Sequence, residues 1–163
     1  IDLAYTSVTD DGVKALIGVH TINLTGTLVT DKALKELAGV HTLSLSSCKK
    51  ITDSGMKALA SVHSIDLSHT AISDEGFKAL AGIHTINLRF TSVTDEGVKA
   101  LAGVKKICLS YTSVTDEGIK ALAGVHTIDL FECNVTDDGI KALAGVHTID
   151  LGCCKGITDE GMK

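Results

Sequence analysis

Across residues 125–145 the large apolar side chains fall at Val125, Ile128, Leu130 and Val135, then at Ile140 and Leu143. The stretch Thr127-Ile128-Asp129-Leu130 alternates polar and apolar with a period of two. That is the pattern of a short strand with one buried face. The following T-D-D-G-I-K-A-L-A-G (136–145) predicts a short helix. Thr136 or Asp137 caps its N-terminus, the carboxylates suit the positive end of its dipole, and Gly145 suits its C-terminal turn. Ile140 and Leu143 are three apart and share a face.

The same pattern starts at Val19, Val40, Val62, Ile83, Val104, Val125 and Val146, at a spacing of 21 residues except for 22 after Val40. The repeats are thus 19–39, 40–61, 62–82, 83–103, 104–124 and 125–145, with partial copies at 1–18 and 146–163. A fixed period of this length is the signature of a solenoid. No copy can bury both its strand face and its helix face alone, whereas stacked copies bury them against each other. The expected fold is α/β, a single solenoid over 1–163, with about eight short parallel strands in register on one side and helices on the other. A glycine recurs inside the helix segment (Gly12, Gly55, Gly76, Gly97, Gly118, Gly139, Gly161), where it lowers helix propensity and permits close approach of neighbouring coils.

The motif V-x-x-I-x-L-x-x-T/C-x-V/I resembles L-x-x-L-x-L-x-x-N/C-x-L of the leucine-rich repeat family, over essentially the whole chain. The segments CKKITDSGMKALA (48–60) and CCKGITDEGMK (153–163) are similar to the cysteine-containing subclass found in F-box-type substrate adaptors. The resemblance implies a leucine-rich-repeat solenoid, a horseshoe or arc. The unit is shorter than in that subclass, Thr usually stands where Asn or Cys is expected, and the sequence shows no F-box or capping segment. An adaptor role is therefore implied by the resemblance alone.

Composition narrows the partners. A net charge of −5, from 15 Lys+Arg against 20 Asp+Glu, carries no basic stripe of the kind nucleic-acid binders use. No window has the roughly 18 consecutive apolar residues of a membrane span, and no signal peptide is evident. Five cysteines without paired spacing do not make a disulfide framework, which favours a reducing compartment and the cytoplasm. The N-x-T sequons at Asn23 and Asn134 point the other way. The chain starts at Ile1 within a strand motif and stops at Lys163 within a helix motif, so uncapped ends are expected.

Several columns stay fixed from copy to copy. Thr6, Thr27, Cys48, Thr70, Thr91, Thr112, Cys133 and Cys154 share one, as backbone-bonding hydroxyls or buried thiols. Lys14, Lys35, Lys57, Lys78, Lys99, Lys120 and Lys141 each follow an Asp by four residues, as i,i+4 pairs of a solvated face. His20, His41, His63, His84, His126 and His147 share a column in which Lys105 replaces one member. That column reads as a neutral imidazole ladder, as a pH-sensitive ladder, or as zinc ligands, and a repeated column offers no closed tetrahedral geometry for zinc. Asp129 beside Asp150 makes an acidic patch.

The copies disagree just past the strand, and four of the five aromatic residues (Tyr5, Phe90, Tyr111, Phe131) fall there, while Phe77 takes a helix core position. Arg89, Phe90, Tyr111 and Phe131 belong to three consecutive coils, with His69 one coil earlier and Lys105 and Lys106 nearby. Arg and aromatics are the side chains enriched at binding hot spots. The candidate partner-binding residues are Tyr5, His69, Arg89, Phe90, Lys106, Tyr111, Phe131 and Glu132. Cys108, flanked by Lys105 and Lys106, has the company that lowers a thiol pKa, but nothing places a base or oxyanion hole beside it. No catalytic residue, metal site or cofactor is assigned. The expected function is non-catalytic recognition of a protein or peptide by the strand face, with no nucleic-acid or membrane partner. The alternative is a structural solenoid that associates end to end.

Overall fold

The computed structural model describes residues 1–163. One parallel sheet runs in chain order through β1 (Thr21–Asn23), β2 (Thr42–Ser44), β3 (Ser64–Asp66), β4 (Thr85–Asn87), β5 (Lys106–Cys108), β6 (Thr127–Asp129) and β7 (Thr148–Asp150). Each strand pairs with the next in one register, so Ile22, Leu43, Ile65, Ile86, Ile107, Ile128 and Ile149 form a single row. The sequence predicts about eight strands and the sheet has seven. The first copy carries only the end of its strand, Ile1 and Asp2, and pairs through one bridge, Asp2 to Asn23. In the longer copy after Val40 the additional residue sits near Lys50, which makes an extra bridge to Thr30, and Gly156 does the same with Thr136.

The other face carries α1 (Asp10–Val13), α2 (Asp31–Leu34), α3 (Asp53–Met56), α4 (Asp74–Lys78), α5 (Asp95–Ala100), α6 (Asp116–Ile119) and α7 (Asp137–Lys141). These are single turns, and α1, α2, α3 and α6 run straight into 3-10 turns ending at Leu16, Leu37, Leu59 and Leu122. Pieces this short are not stable as isolated helices, and tighter i→i+3 bonds satisfy their last carbonyls. Packing holds them. Between sheet and helices lie the strand rows, the Val or Ile that precedes each helix, and the helix pair exemplified by Val98 and Leu101, both fully buried. Phe77 occupies the helix core position with no exposure. Burial of each such side chain contributes roughly 1.5–3 kcal/mol.

Adjacent coils are clamped at the helix start. Asp95 accepts hydrogen bonds from the backbone N–H (2.8 Å) and hydroxyl (2.7 Å) of Thr115 in the next coil. The same two bonds join Asp10 to Thr30, Asp31 to Thr52, Asp53 to Ser73, Asp74 to Thr94, Asp116 to Thr136 and Asp137 to Thr158. Of the two candidate caps, the Thr takes the role: Thr115 Oγ1 donates to Asp95 and also accepts from the Glu117 N–H. At most copies the helix glycine leaves room for the clamp, although Ala33 stands there beside the Asp10–Thr30 pair. A Cβ built at Gly118 meets Asp95 Oδ1 at 2.6 Å, and one at Gly55 meets Asp31 Oδ1 at 2.5 Å.

The clamp also corrects the expected ion pairs. Lysines bond the residue three before them, as Lys99 to Glu96 (2.7 Å) and Lys120 to Glu117 (2.6 Å), because the Asp four before is committed to the neighbouring coil. Lys35 and Lys57 follow Lys32 and Ser54 at that spacing and form no pair.

The Thr/Cys column divides by residue type. Thr91 Oγ1 and Thr112 Oγ1 donate to Leu88 and Leu109 in their own coil, both at 2.6 Å. The buried thiols of Cys48, Cys133 and Cys154 reach back instead to Leu24, Leu109 and Leu130 of the preceding coil, at 3.0–3.1 Å.

Asp95→Ala leaves the Thr115 N–H without its partner and is expected to lower stability by about 1–3 kcal/mol. Gly118→Ala is expected to destabilise as well, through the collision with Asp95. The double variant is expected to cost less than the sum, because removing the carboxylate opens part of the space the methyl needs. Denaturant midpoints for the four proteins of this cycle check the coupling, and strict additivity refutes it.

Candidate functional site

At the end of each strand the chain turns sharply, and where the strand's last residue is Asn or Asp its side chain closes the turn. Asn87 Oδ1 accepts from the Arg89 N–H, and Asp129 Oδ1 from the Phe131 N–H, both at 3.0 Å. Ser44 and Cys108 take that place in two coils without the bond. The third residue past the strand's last then enters the left-handed region in every coil. This holds for Tyr5, Ser47, His69, Phe90, Tyr111, Glu132 and Cys153, with φ between 54° and 62°, and for Gly26 at 68°. Its N–H donates to the next coil, as Phe90 to the Ser110 carbonyl (3.2 Å) and Tyr111 to the Phe131 carbonyl (3.0 Å). Left-handed backbone costs a non-glycine residue roughly 1–2 kcal/mol. The sheet and turn impose it here, and one column of side chains is thereby aimed away from the core.

Three consecutive members of that column stack. The rings of His69 and Phe90 lie 4.6 Å apart and those of Phe90 and Tyr111 4.2 Å apart, near parallel. Phe131 continues the row, tilted, 5.4 Å from Tyr111. The Arg89 guanidinium lies over both Phe90 (5.1 Å) and Tyr111 (4.9 Å). Phe90 remains 41% exposed although it is stacked on both faces, so the ladder presents ring edges to solvent. Such stacks contribute about 0.5–1.5 kcal/mol per pair beyond burial.

His69, Arg89, Phe90, Tyr111 and Phe131 therefore form one surface. Tyr5 does not join it: its ring lies over Gly26, is 79% exposed, and is separated from His69 by Gly26 and Ser47. Glu132 sits in the same column without a ring partner, beside Cys153 and Lys155. Lys106 lies on β5, at the opposite end of the strands. Just before the left-handed position Ser68 and Ser110 are buried, whereas Arg89 is exposed.

The electrostatics of this region differ from the sequence expectation at Cys108. Burial raises its thiol pKa, and the Asp129 carboxylate 3.3 Å away raises it further, outweighing its hydrogen bonds with Ser110. Lys105 and Lys106 do not activate it. Burial likewise holds the thiols of Cys48, Cys133 and Cys154 up. Burial also disfavours the Asp129 carboxylate, but hydrogen bonds from Ser110, the Phe131 N–H and Cys108, with the charge of Arg89, hold it below the usual carboxylate range. The signal in the sequence was the pairing of Asp129 with an arginine two coils before it.

Beside the ladder lies an open groove of about 430 Å³ along the strand face, lined by hydroxyl, amide and carboxylate side chains such as Thr42, Ser44, Asp66, Thr85 and Asn87. At the other end of the strands the imidazoles stack, His20–His41 and His41–His63 at 4.5 Å, His63–His84 at 4.3 Å and His126–His147 at 4.7 Å. Lys105 interrupts the row. No group of three His, Cys, Asp or Glu side chains is arranged to hold a metal ion. No helix is long and apolar enough to cross a membrane.

Short parallel strands on one face, single-turn helices on the other and a coil-to-coil register define a leucine-rich-repeat solenoid. The chain belongs to that family: the family model described as Leucine Rich repeat matches residues 40–60, 61–81, 83–102, 125–144 and 146–163. A search of curated proteins finds no significant match. Among solved structures, internalin C2 of Listeria monocytogenes superposes with a TM-score of 0.66 at 15% identity, covering 96% of this chain and 80% of that one. TLR13, in its complex with ssRNA13, superposes with a TM-score of 0.65 at 16% identity, covering 96% of this chain and 29% of that one. The chain thus spans under a third of the TLR13 chain. At these identities the likeness is one of fold.

The left-handed column yields a stability series. Ser47→Gly is expected to stabilise by about 1 kcal/mol, since no stack is lost. Phe90→Gly is expected to be more stable than Phe90→Ala by a similar margin, although both lose the stack. Thermal unfolding of the three variants checks the order.

The imidazole row yields a pH dependence. Burial first, then the charges of His20 and His63, hold His41 below the ordinary histidine value of 6.5. The folded state thus prefers the neutral ring. Its contribution is complete above pH 6.5 and is lost as pH falls through that value towards the lowered folded pKa. The carboxylates of Asp10 and Asp137, also held low, act only below their ordinary value of 3.8. Tm is therefore expected to drop between about pH 7 and pH 5 and to drop less in His41→Gln. A flat profile in the parent protein overturns this.

Proposed function

We propose that the chain is a non-catalytic recognition module whose strand face and ring ladder bind a protein or peptide. The observation that carries this reading is the His69–Phe90–Tyr111 stack with Arg89 laid across it, built on residues in left-handed backbone. The left-handed backbone recurs in every coil, so what marks this stretch is that consecutive copies place stacked rings and a guanidinium on it. The rings offer edges and a guanidinium, which suit an extended segment carrying aliphatic side chains and a carboxylate.

TLR13 was solved with single-stranded RNA, but two features here favour a peptide. The faces of Phe90 are taken up by its neighbours, whereas bases bind single-strand readers by stacking on free ring faces. Asp66, Asp129 and Asp150 on the same strand face disfavour a run of phosphates.

Selection from a random peptide display library, with the parent chain as bait, is expected to yield sequences whose binding falls at least tenfold in Arg89→Ala and Tyr111→Ala. Both variants are expected to fold, because Arg89 is exposed and Tyr111 lies outside the core. Peptides that bind both variants as well as the parent refute the proposed face. Light scattering over a concentration series addresses the structural alternative: mass that grows without limit favours end-to-end association.

A further inference from the structure

A recess of about 330 Å³ opens where Lys105 interrupts the imidazole row, and its six lining residues are His84, Thr85, Lys105, Lys106, His126 and Thr127. None is acidic. In the other strand-bearing coils these two consecutive positions hold His followed by Thr or Ser, and only here are both Lys. The exchange places two ammonium groups between imidazoles that would otherwise continue the stack. Neither lysine has a carboxylate within ion-pairing distance, unlike Lys78, Lys99 and Lys120 on the helix face. The nearest acid along β6, Asp129, is turned to the Phe131 N–H and the Cys108 thiol.

The imidazoles are oriented as well. His84 Nδ1 lies 3.2 Å from Thr85 Oγ1, and His126 Nδ1 lies 3.3 Å from Thr127 Oγ1. Where the hydroxyl donates to Nδ1, the ring proton sits on Nε2 and is the donor left for a ligand. Two lysines and two histidines with a free ring N–H line one recess, in a chain whose net charge is −5.

We infer that this recess binds a phosphate-type oxyanion, held by Lys105 and Lys106 with His84 and His126 as flanking donors. A dianion balances the two ammonium charges better than a carboxylate, which carries one. The site lies at the opposite end of the strands from Arg89, Phe90 and Tyr111, and it does not depend on the ring ladder.

The histidine column provides its own control in the intact chain. Titration with inorganic phosphate at constant ionic strength, followed by the imidazole carbon-bound proton resonances, is expected to shift His84 and His126 saturably while His20 and His41 stay in place. Lys105→Gln/Lys106→Gln is expected to weaken that binding by at least about tenfold. Tm should be unchanged, because both side chains are exposed. Phosphoserine binding as tightly as phosphate identifies a phosphomonoester side chain as the source, and phosphate binding alone identifies the free anion. Uniform shifts in all six histidines of the column, acetate binding as tightly as phosphate, or an affinity unaffected by the double substitution overturns the inference. Lys105 lines the recess and not the strand-face groove, so loss of phosphate binding in Lys105→Gln alone, with retention of peptide binding, separates the two sites.

Discussion

Asp95 reaches across to Thr115 in the following coil, closes two hydrogen bonds, and occupies the volume in which a Cβ of Gly118 would stand. The same contact joins seven pairs of coils along the chain. It fixes the separation of neighbouring helical turns on the side of the molecule where no sheet ladder can do so. It also caps the incoming helix, because the Thr hydroxyl that donates to the carboxylate accepts the first free helical N–H. The glycine lowers the intrinsic stability of each turn and leaves room for the carboxylate; in the second coil Ala33 stands there and Asp10 still bonds Thr30. Helix propensity is sacrificed for register.

Register, once fixed, dictates spacing everywhere else. Parallel strands repeat at about 4.8 Å, and any column of flat side chains is then brought close to stacking distance. The imidazole row at one end of the strands and the ring ladder at the other both follow, with centroid separations of 4.2–4.7 Å among their stacked pairs. The two rows differ in what the backbone demands. The histidines sit where the chain enters the sheet in ordinary conformation, while the rings occupy positions that favour glycine on conformational grounds. Only Gly26 takes the unstrained option. The column is therefore the place where the fold tolerates any side chain at a fixed conformational cost, with nothing in the core depending on which one is present.

Much of this was legible in the sequence because it is periodic. Alternation around Ile128 and Leu130 located the strands, the 21-residue spacing gave their parallel order, and the concentration of aromatics just past the strand marked the ring ladder. The recurring glycine was read as a close approach, but the atom approaching it was not. Each Asp has a lysine four residues on, and that local spacing concealed a partner twenty or twenty-one residues away. The left-handed backbone was equally hidden, since Phe, Tyr, His and Glu carry no signal for it. It goes with a hydrogen bond from its N–H to the next coil, a consequence of the stack. Tyr5 was placed with the other aromatics by column alone. Column membership brings rings together only where consecutive copies both supply one.

Several of the charged and aromatic departures from the repeat fall in two neighbouring coils. Arg89 and Phe90 belong to one coil, and Lys105, Lys106, Cys108 and Tyr111 to the next. In the same two coils the core rows are unaltered, with Ile86, Leu88, Ile107 and Leu109 no more than 1% exposed. Random change at exposed sites would fall on all coils alike, and change that damaged packing would appear in the buried rows. What is seen instead is a conserved interior beneath a face whose charge and aromatic content both rise at the middle of the sheet. At the middle the strands have neighbours on both sides and the helical turns are clamped to the coils before and after. A binding surface gains most from that placement, because side chains on a backbone that cannot adjust lose little further freedom when a ligand arrives.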